Sequence, residues 1–165
     1  MLKTVFHPLE PICGPDARVL ILGTMPSPRS REEGFYYAHP RNRFWPALAL
    51  LFGEAPPAGN DARRDFALAH RIALWDVLQS CAIEGASDSS IRNPVPNDIR
   101  PLLEKAPIRA VFTTGGTAFR LYRKLVEPVC GRAALLLPSP SAANCRLPLE
   151  ALAETYRPIL PFLAE

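Results

Sequence analysis

Four short apolar runs, each giving way to a polar loop, set the rhythm of the chain: residues 19–22, 72–78, 109–113 and 133–137. Runs of this length without polar alternation suit strands covered on both faces in a parallel sheet. Between them the period changes. Phe44, Ala47, Leu48, Leu51 and Phe52 recur at i, i+3, i+4, i+7 and i+8, one face of a helix that Gly53 is placed to stop. Asn60 or Asp61 is expected to cap a helix with Phe66, Ala69 and Ala73 on its apolar side, and Asn97 a short helix running to Lys105. Ala118, Leu121, Tyr122 and Leu125 form the inward stripe of a helix over 117–126, and Pro148 suits the first turn of another through Tyr156. This alternation predicts one α/β domain over residues 1–165, with three layers, α/β/α, around a four-stranded, mainly parallel sheet.

Two segments fall outside that rhythm. Pro8, Pro11, Gly14 and Pro15 keep the first 17 residues from forming a long helix and predict an extended arm or short turns, with no chemistry assigned. Residues 81–98 are polar and turn-rich and read as a loop whose hydroxyls could meet sugar and phosphate.

A chain of 165 residues that is 48% hydrophobic suits a single core. Its net charge is only +3, but sixteen of its nineteen basic residues are arginines, the side chain suited to bidentate phosphate contacts. Arg29, Arg31, Arg41 and Arg43 crowd into one loop, and such clustering becomes a nucleic-acid signal only where it surrounds a site. Cys13, Cys81, Cys130 and Cys145 lack the paired spacing of zinc or redox centres and read as buried, reduced thiols. No run approaches the roughly 18 apolar residues of a membrane span, and no basic segment leads into a long apolar one, which predicts a soluble cytoplasmic protein without membrane partners. The phosphate-loop, dinucleotide-binding, nucleophile-elbow and HExxH motifs are all missing, so nucleotide-dependent phosphoryl transfer and dinucleotide redox chemistry have no support. Ser27 and Ser139 stand in no nucleophile elbow and have no evident histidine partner.

The loop between Gly23 and Phe44 holds too few aliphatic residues to be core and reads as a site. Gly23 closes a strand and lets backbone approach a ligand. Asn42 falls just before a helix, where free amides and the positive end of the dipole favour anions, so its side chain either caps the helix or faces a ligand. Asp76, a carboxylate inside an apolar run, either caps the next loop or points into the crevice where parallel α/β sheets bind.

GTMPS after an apolar strand, followed by YYAHPRNRFW opening a helix, resembles the first motif of the uracil-DNA glycosylase superfamily. The likeness is closest to its hypoxanthine-DNA (deoxyinosine) glycosylase branch, near the mismatch-specific uracil-DNA glycosylases. It continues through ALWD (73–76), FTTGGTAF (112–119) and LPSPSAAN (137–144), covering most of the chain in the family's order. The resemblance implies a uracil-DNA glycosylase-like fold and hydrolysis of the N-glycosidic bond of a deaminated base in DNA. It implies no metal or organic cofactor; a monomer is the default, because one flipped nucleotide needs one pocket. Cleavage toward an oxocarbenium-like sugar needs a water on one face, stabilisation of the departing base on the other, and an extruded nucleotide. One superfamily relative carries a four-cysteine iron–sulfur cluster, against which the scattered cysteines here argue.

The resemblance also implies roles. Asn42 corresponds to the asparagine that holds the water in the hypoxanthine branch, whereas Met25 stands where other members place a water-positioning Asp or Asn, a task methionine cannot perform. Tyr37 corresponds to an aromatic that stacks on the flipped base, and His39 is expected to brace the loop or meet a phosphate. Gly23, Thr24, Met25, Pro26 and Ser139 are expected to line the base site. Asp76 falls at the strand end where uracil-specific relatives carry Asn; an ionised Asp76 accepts only, while a protonated one would reproduce the amide pattern. Leu137 replaces a His or Asn that polarises base or sugar, removing one leaving-group stabiliser. Ser139, Pro140 and Ser141 are expected to pinch the DNA backbone, and residues 142–146, with Asn144 and Arg146, to enter the space vacated by the base. Arg29, Arg31, Arg41, Arg43 and Arg146 are expected to meet phosphates. Hypoxanthine and uracil both remain as target bases, and a non-catalytic binder of damaged or single-stranded DNA is the alternative of another class.

Overall fold

A computed structural model describes residues 1–144 and 146–164, so Cys145 lies outside the described residues. Strands β1 (Lys3–Phe6), β2 (Val19–Gly23), β3 (Ile72–Asp76), β4 (Leu78–Glu84), β5 (Ser87–Pro96), β6 (Ala110–Thr114) and β7 (Ala134–Leu137) form two sheets. The larger has the order β3-β2-β6-β7, with every neighbouring pair parallel.

Side-chain alternation along the buried strands makes the three layers. Val19, Ile21, Ile72, Leu74 and Phe112 enter one apolar cluster with Phe44, Leu48, Phe66, Leu152 and Tyr156. Leu20, Leu22, Ala73 and Val111 enter the other with Leu102, Ala118, Leu121 and Tyr122. Because successive strand residues point to opposite faces, a strand covered on both sides must be apolar throughout, which is why β2 reads VLIL. The first cluster is covered by α2 (Phe44–Phe52), α3 (Asn60–Ala69) and α7 (Leu149–Thr155). The second is covered by α4 (Arg100–Lys105) and α5 (Gly116–Leu121), which continues as a π-helical turn, Tyr122–Val126, into α6 (Glu127–Cys130). A short helix α1 (Pro28–Glu33) lies in the first loop, and a 3-10 turn and α8 (Leu160–Leu163) end the chain.

The structure departs from the pattern-based expectations in five places. Residues 81–98 are no loop: most of them form a bulged antiparallel hairpin, β4 with β5, turning at Gly85 with φ +59°. The first residues are not a free arm, since β1 pairs antiparallel with β4 and completes a three-stranded sheet. Strands β1 and β5 escape a periodicity search because they are largely exposed. Asn97 does not cap α4; its amide donates to the carbonyls of Asp76 and Leu78, and Asp98 takes the amide of Arg100 instead. Neither Asn60 nor Asp61 caps α3, whose N-cap is Gly59, and Ala67 rather than Ala69 shares its buried face with Phe66. Finally, β7 is an edge strand with Leu135 and Leu136 exposed. Of the cysteines, Cys13 and Cys81 are buried, which pushes their thiols up, and Cys130 is half-buried beside the Tyr122 hydroxyl.

Helix α2 supplies a direct test of the packing, since Leu48 is 0% exposed and Leu50, two residues on, is 45% exposed. Leu48→Ala is expected to lower stability by about 2–5 kcal/mol. Leu50→Ala should change it by no more than about 0.5 kcal/mol, both read from denaturant midpoints.

Candidate active site

In an open parallel sheet ligands bind beyond the carboxyl ends of the strands, at the point where the chain turns from one side of the starting strand to the other. Here β2 is flanked by β3 on one side and β6 on the other, so that point lies at the ends of Gly23, Asp76 and Thr114. A cavity of about 150 Å³ opens there. Thr24, Met25 and Pro26 line it after β2, Tyr37 and Asn42 line it from the long loop, and Ser139, Pro140 and Ser141 from the loop after β7. Its outer wall is the hairpin, through Ile83, Gly85, Ala86 and Asp88.

Gly23 is what allows these groups to meet. A β-carbon added at Gly23 would stand 2.6 Å from Asp76 Oδ1 and 3.3 Å from the Tyr37 hydroxyl. Asp76, directly opposite in the ladder, leans its carboxylate across the vacant position. The Tyr37 hydroxyl also pairs with Thr114 Oγ1 at 3.0 Å, and its ring stacks on Phe44 at 3.9 Å between centroids. Tyr37 adopts φ +53°, a left-handed conformation that costs of order 1–3 kcal/mol for such a residue and persists only where neighbours enforce it. Burial, with the charge of Asp76 beside it, pushes the Tyr37 phenol well up, so it is present as the neutral hydroxyl. With Phe44 on one face of the ring, only the other face is left for a ligand.

Asp76 is held from a direction the sequence did not disclose. His7, just beyond β1, places Nε2 2.8 Å from Asp76 Oδ2, and the two side chains are 2% and 6% exposed. His7 Nδ1 accepts the Leu9 backbone N–H at 3.3 Å. A ring nitrogen that accepts carries no proton, so the hydrogen is on Nε2 and His7 donates it to the carboxylate. The Asp76 carbonyl takes the Asn97 amide at 2.9 Å, and both ends of this residue are thereby fixed. Asp76 is thus directed to the crevice and not to a loop cap.

Asn42 stands one residue before Arg43, the N-cap of α2, and lines the cavity. Its Oδ1 accepts the Phe44 backbone N–H at 2.9 Å in the turn that opens the helix, which settles which end of the amide is oxygen. A carbonyl oxygen has a second lone pair, so this bond still leaves an acceptor for a water.

The remaining candidates divide. His39 lies outside the cavity lining, where its Nδ1 accepts the Arg41 N–H and its carbonyl the Asn42 N–H, so it braces the turn before Asn42. Arg43 sends its guanidinium to the carbonyls of Asn144 and Leu147 and its backbone N–H to the Pro140 carbonyl, which makes it a brace between two loops. Asn144 donates to the Ser139 carbonyl within the same loop. Arg29 pairs with Glu33 and Arg31 donates to the Pro26 carbonyl, whereas Arg41 and Arg146 are exposed. Leu137 is buried in the core and its carbonyl accepts the Gly115 N–H, so it contributes no polar group to the cavity. Ser27 accepts the Ser30 N–H as the cap of α1, and Ser139 accepts the Ser141 N–H; neither is paired with a histidine.

Sequence reasoning missed His7, Thr114, Ser30 and Asp88. Ser30 Oγ accepts the Ala38 N–H and shapes the turn that strains Tyr37. Asp88, at the cavity mouth, has its carboxyl pushed up by partial loss of water, opposed by Arg120 and reinforced by the charge of Asp76. Thr114 sits inside the FTTGG string and was within reach; a pairing across 69 positions, as for His7, leaves no local signal.

The fold and this crevice define a class. Residues 10–158 match the family model described as the uracil DNA glycosylase superfamily, and the chain belongs to that superfamily. Two relatives narrow the likeness. A hypoxanthine DNA glycosylase of Methanosarcina acetivorans is 33% identical over 132 residues, spanning 79% of this chain and 83% of that protein. One of Methanosarcina barkeri is 31% identical over 137 residues, spanning 82% and 86%. A solution structure of a candidate uracil DNA glycosylase from M. acetivorans superposes with a TM-score of 0.81 at 28% identity, covering 99% of this chain and all of that one.

If Gly23 is needed for space, the sign of a glycine substitution should depend on place. Gly23→Ala is expected to lower stability by about 1–3 kcal/mol through overpacking. Gly116→Ala, in a helix with nothing within 4 Å of the added carbon, should be neutral or raise stability by up to about 1 kcal/mol, measured the same way.

Proposed function

We propose that this protein is a monofunctional DNA glycosylase that excises hypoxanthine, with uracil as a second substrate, and so starts base-excision repair on intracellular DNA. The observation that carries the reading is the convergence of Asn42, Asp76 and Tyr37 on one cavity around Gly23, in a chain whose curated relatives are hypoxanthine DNA glycosylases. A flat base fits the cavity; a stacked duplex does not, so the nucleotide must be extruded first. Tyr37 then takes one face of the base, and Asp76 meets its polar edge.

Asn42 holds the attacking water. An amide is a poor base, so its contribution is to place and orient the water against a sugar that has already become cationic, rather than to remove its proton early. Met25, which also lines the cavity, offers a thioether with only weak accepting capacity and does not share this work. Leu137, buried in the core, leaves stabilisation of the departing base to the polar groups around the cavity. One pocket serves one flipped nucleotide, and the monomer is the acting unit. The loop carrying Ser139, Pro140 and Ser141, pinned by Arg43, meets the DNA backbone beside the pocket.

Asn42→Ala should reduce excision of hypoxanthine by about 10²-fold while leaving affinity for the same duplex largely intact, the scale of losing one preorganised polar group. Excision within a few-fold of the parent would remove Asn42 from the chemistry. Among the arginines, Arg41→Ala and Arg146→Ala should each reduce the log–log salt slope of DNA binding by roughly 0.9, as expected for one phosphate contact apiece. Arg43→Ala should instead lower thermal stability, because it releases the 138–147 loop.

A further inference from the structure

His7 stands before the segment that matches the family, 10–158, yet it reaches the carboxylate at the centre of the crevice. We propose that His7 sets the base specificity of the site by locking Asp76 as an acceptor-only reader of the imino N–H that deamination creates. The proposal rests on the excision reading above and names how the same pocket tells a deaminated base from its parent.

The chemistry of the difference is small. Adenine presents a lone pair at N1, and hypoxanthine an N–H; cytosine and uracil differ in the same way at N3. An acceptor facing that ring position bonds the deaminated base and repels the parent. A site built around one hydrogen bond can discriminate strongly, because the wrong base leaves a buried polar group unpaired. An asparagine there discriminates only where a neighbour fixes its amide, since a free amide can turn over and offer either oxygen or N–H. A carboxylate carries two oxygens and cannot donate.

Two contacts and the space at Gly23 hold Asp76 to that role. The Leu9 N–H on His7 Nδ1 fixes the imidazole tautomer with its proton on Nε2. That proton occupies Oδ2 at 2.8 Å, in a contact almost closed to solvent. Oδ1 is left on the Gly23 side, 2.6 Å from where a β-carbon would be, and Gly23 and Asp76 both line the cavity while His7 does not. In its carboxylate form Asp76 then faces the base with an oxygen that has no proton to offer, and His7 supplies the hydrogen bond that keeps it turned that way.

A lock by His7 predicts an outcome that a merely structural histidine would not give. In Asp76→Asn the fixed Nε2–H would claim the amide oxygen, turning the amide N–H toward the base. Excision of both hypoxanthine and uracil should then fall about tenfold or more. In the double variant His7→Ala/Asp76→Asn the amide is free to turn over, and excision should rise several-fold above that of Asp76→Asn alone. His7→Gln in the otherwise unaltered protein should stay within a few-fold of the parent, because its amide can still donate to Oδ2. The readout is single-turnover base release from duplexes that differ only in the target base, with a thermal melt of each variant.

Asp76→Asn excising hypoxanthine within a few-fold of the parent, or a double variant no faster than Asp76→Asn, overturns the lock. Should Asp76→Asn fail to fold, the unaltered protein is assayed on 1-methylhypoxanthine, which has no imino N–H. A tenfold or greater loss is expected, and excision equal to that of hypoxanthine overturns the proposal. A parent that binds hypoxanthine-containing duplex but releases no base refutes the glycosylase reading itself, an outcome distinct from a parent that excises with the predicted dependence on His7 absent.

Discussion

The absence of a side chain at Gly23 is the constraint on which the site depends. Three parallel strands end side by side at Gly23, Asp76 and Thr114, and any β-carbon on the middle one would occupy the space into which Asp76 and Tyr37 lean. The vacancy does two things together. It lets an aromatic hydroxyl and a carboxylate both stand over the middle strand, and it leaves a floor of bare backbone.

Around that vacancy the molecule spends its polar contacts on holding loops. Arg43 ties the turn before α2 to the loop after β7, the Tyr156 hydroxyl donates to the Pro138 carbonyl at the start of that loop, and Ser30 fixes the Ala38 amide. These bonds replace what regular secondary structure would supply and keep the left-handed Tyr37 in place. Part of the arginine enrichment is therefore structural. The long planar side chain that suits a phosphate also suits a pair of carbonyls.

How much of this was legible in the sequence follows burial. β2 is buried on both faces, so its composition alone betrayed it, and α2 showed its 3.6-residue stripe because only one face meets the sheet. Gly23, Asn42 and Asp76 could be read from strand ends and a helix start, the family resemblance added Ser139, and all four line the cavity. The β4–β5 hairpin did not show, because β5 is largely exposed and the bulges leave Leu78, Cys81 and Ile83, the residues of β4 that do enter the core, without a period of two. His7 did not show for another reason: its significance is a single contact with a residue 69 positions away, brought about by β1 pairing with a strand that was itself invisible. The bracing by Arg43 did not show either, because a guanidinium looks the same in sequence whether it meets DNA or carbonyls of its own chain.

In the proposed reaction a base is detached from its sugar in the crevice at the ends of β2, β3 and β6, with the DNA strand left unbroken. The most direct measurement is to incubate the protein with a duplex containing one hypoxanthine, separate the free bases by chromatography, and count alkali-labile sites in the same sample. One free hypoxanthine per alkali-labile site is expected, with no strand break before alkali. Tight binding of the hypoxanthine duplex with neither free base nor abasic sites would contradict it.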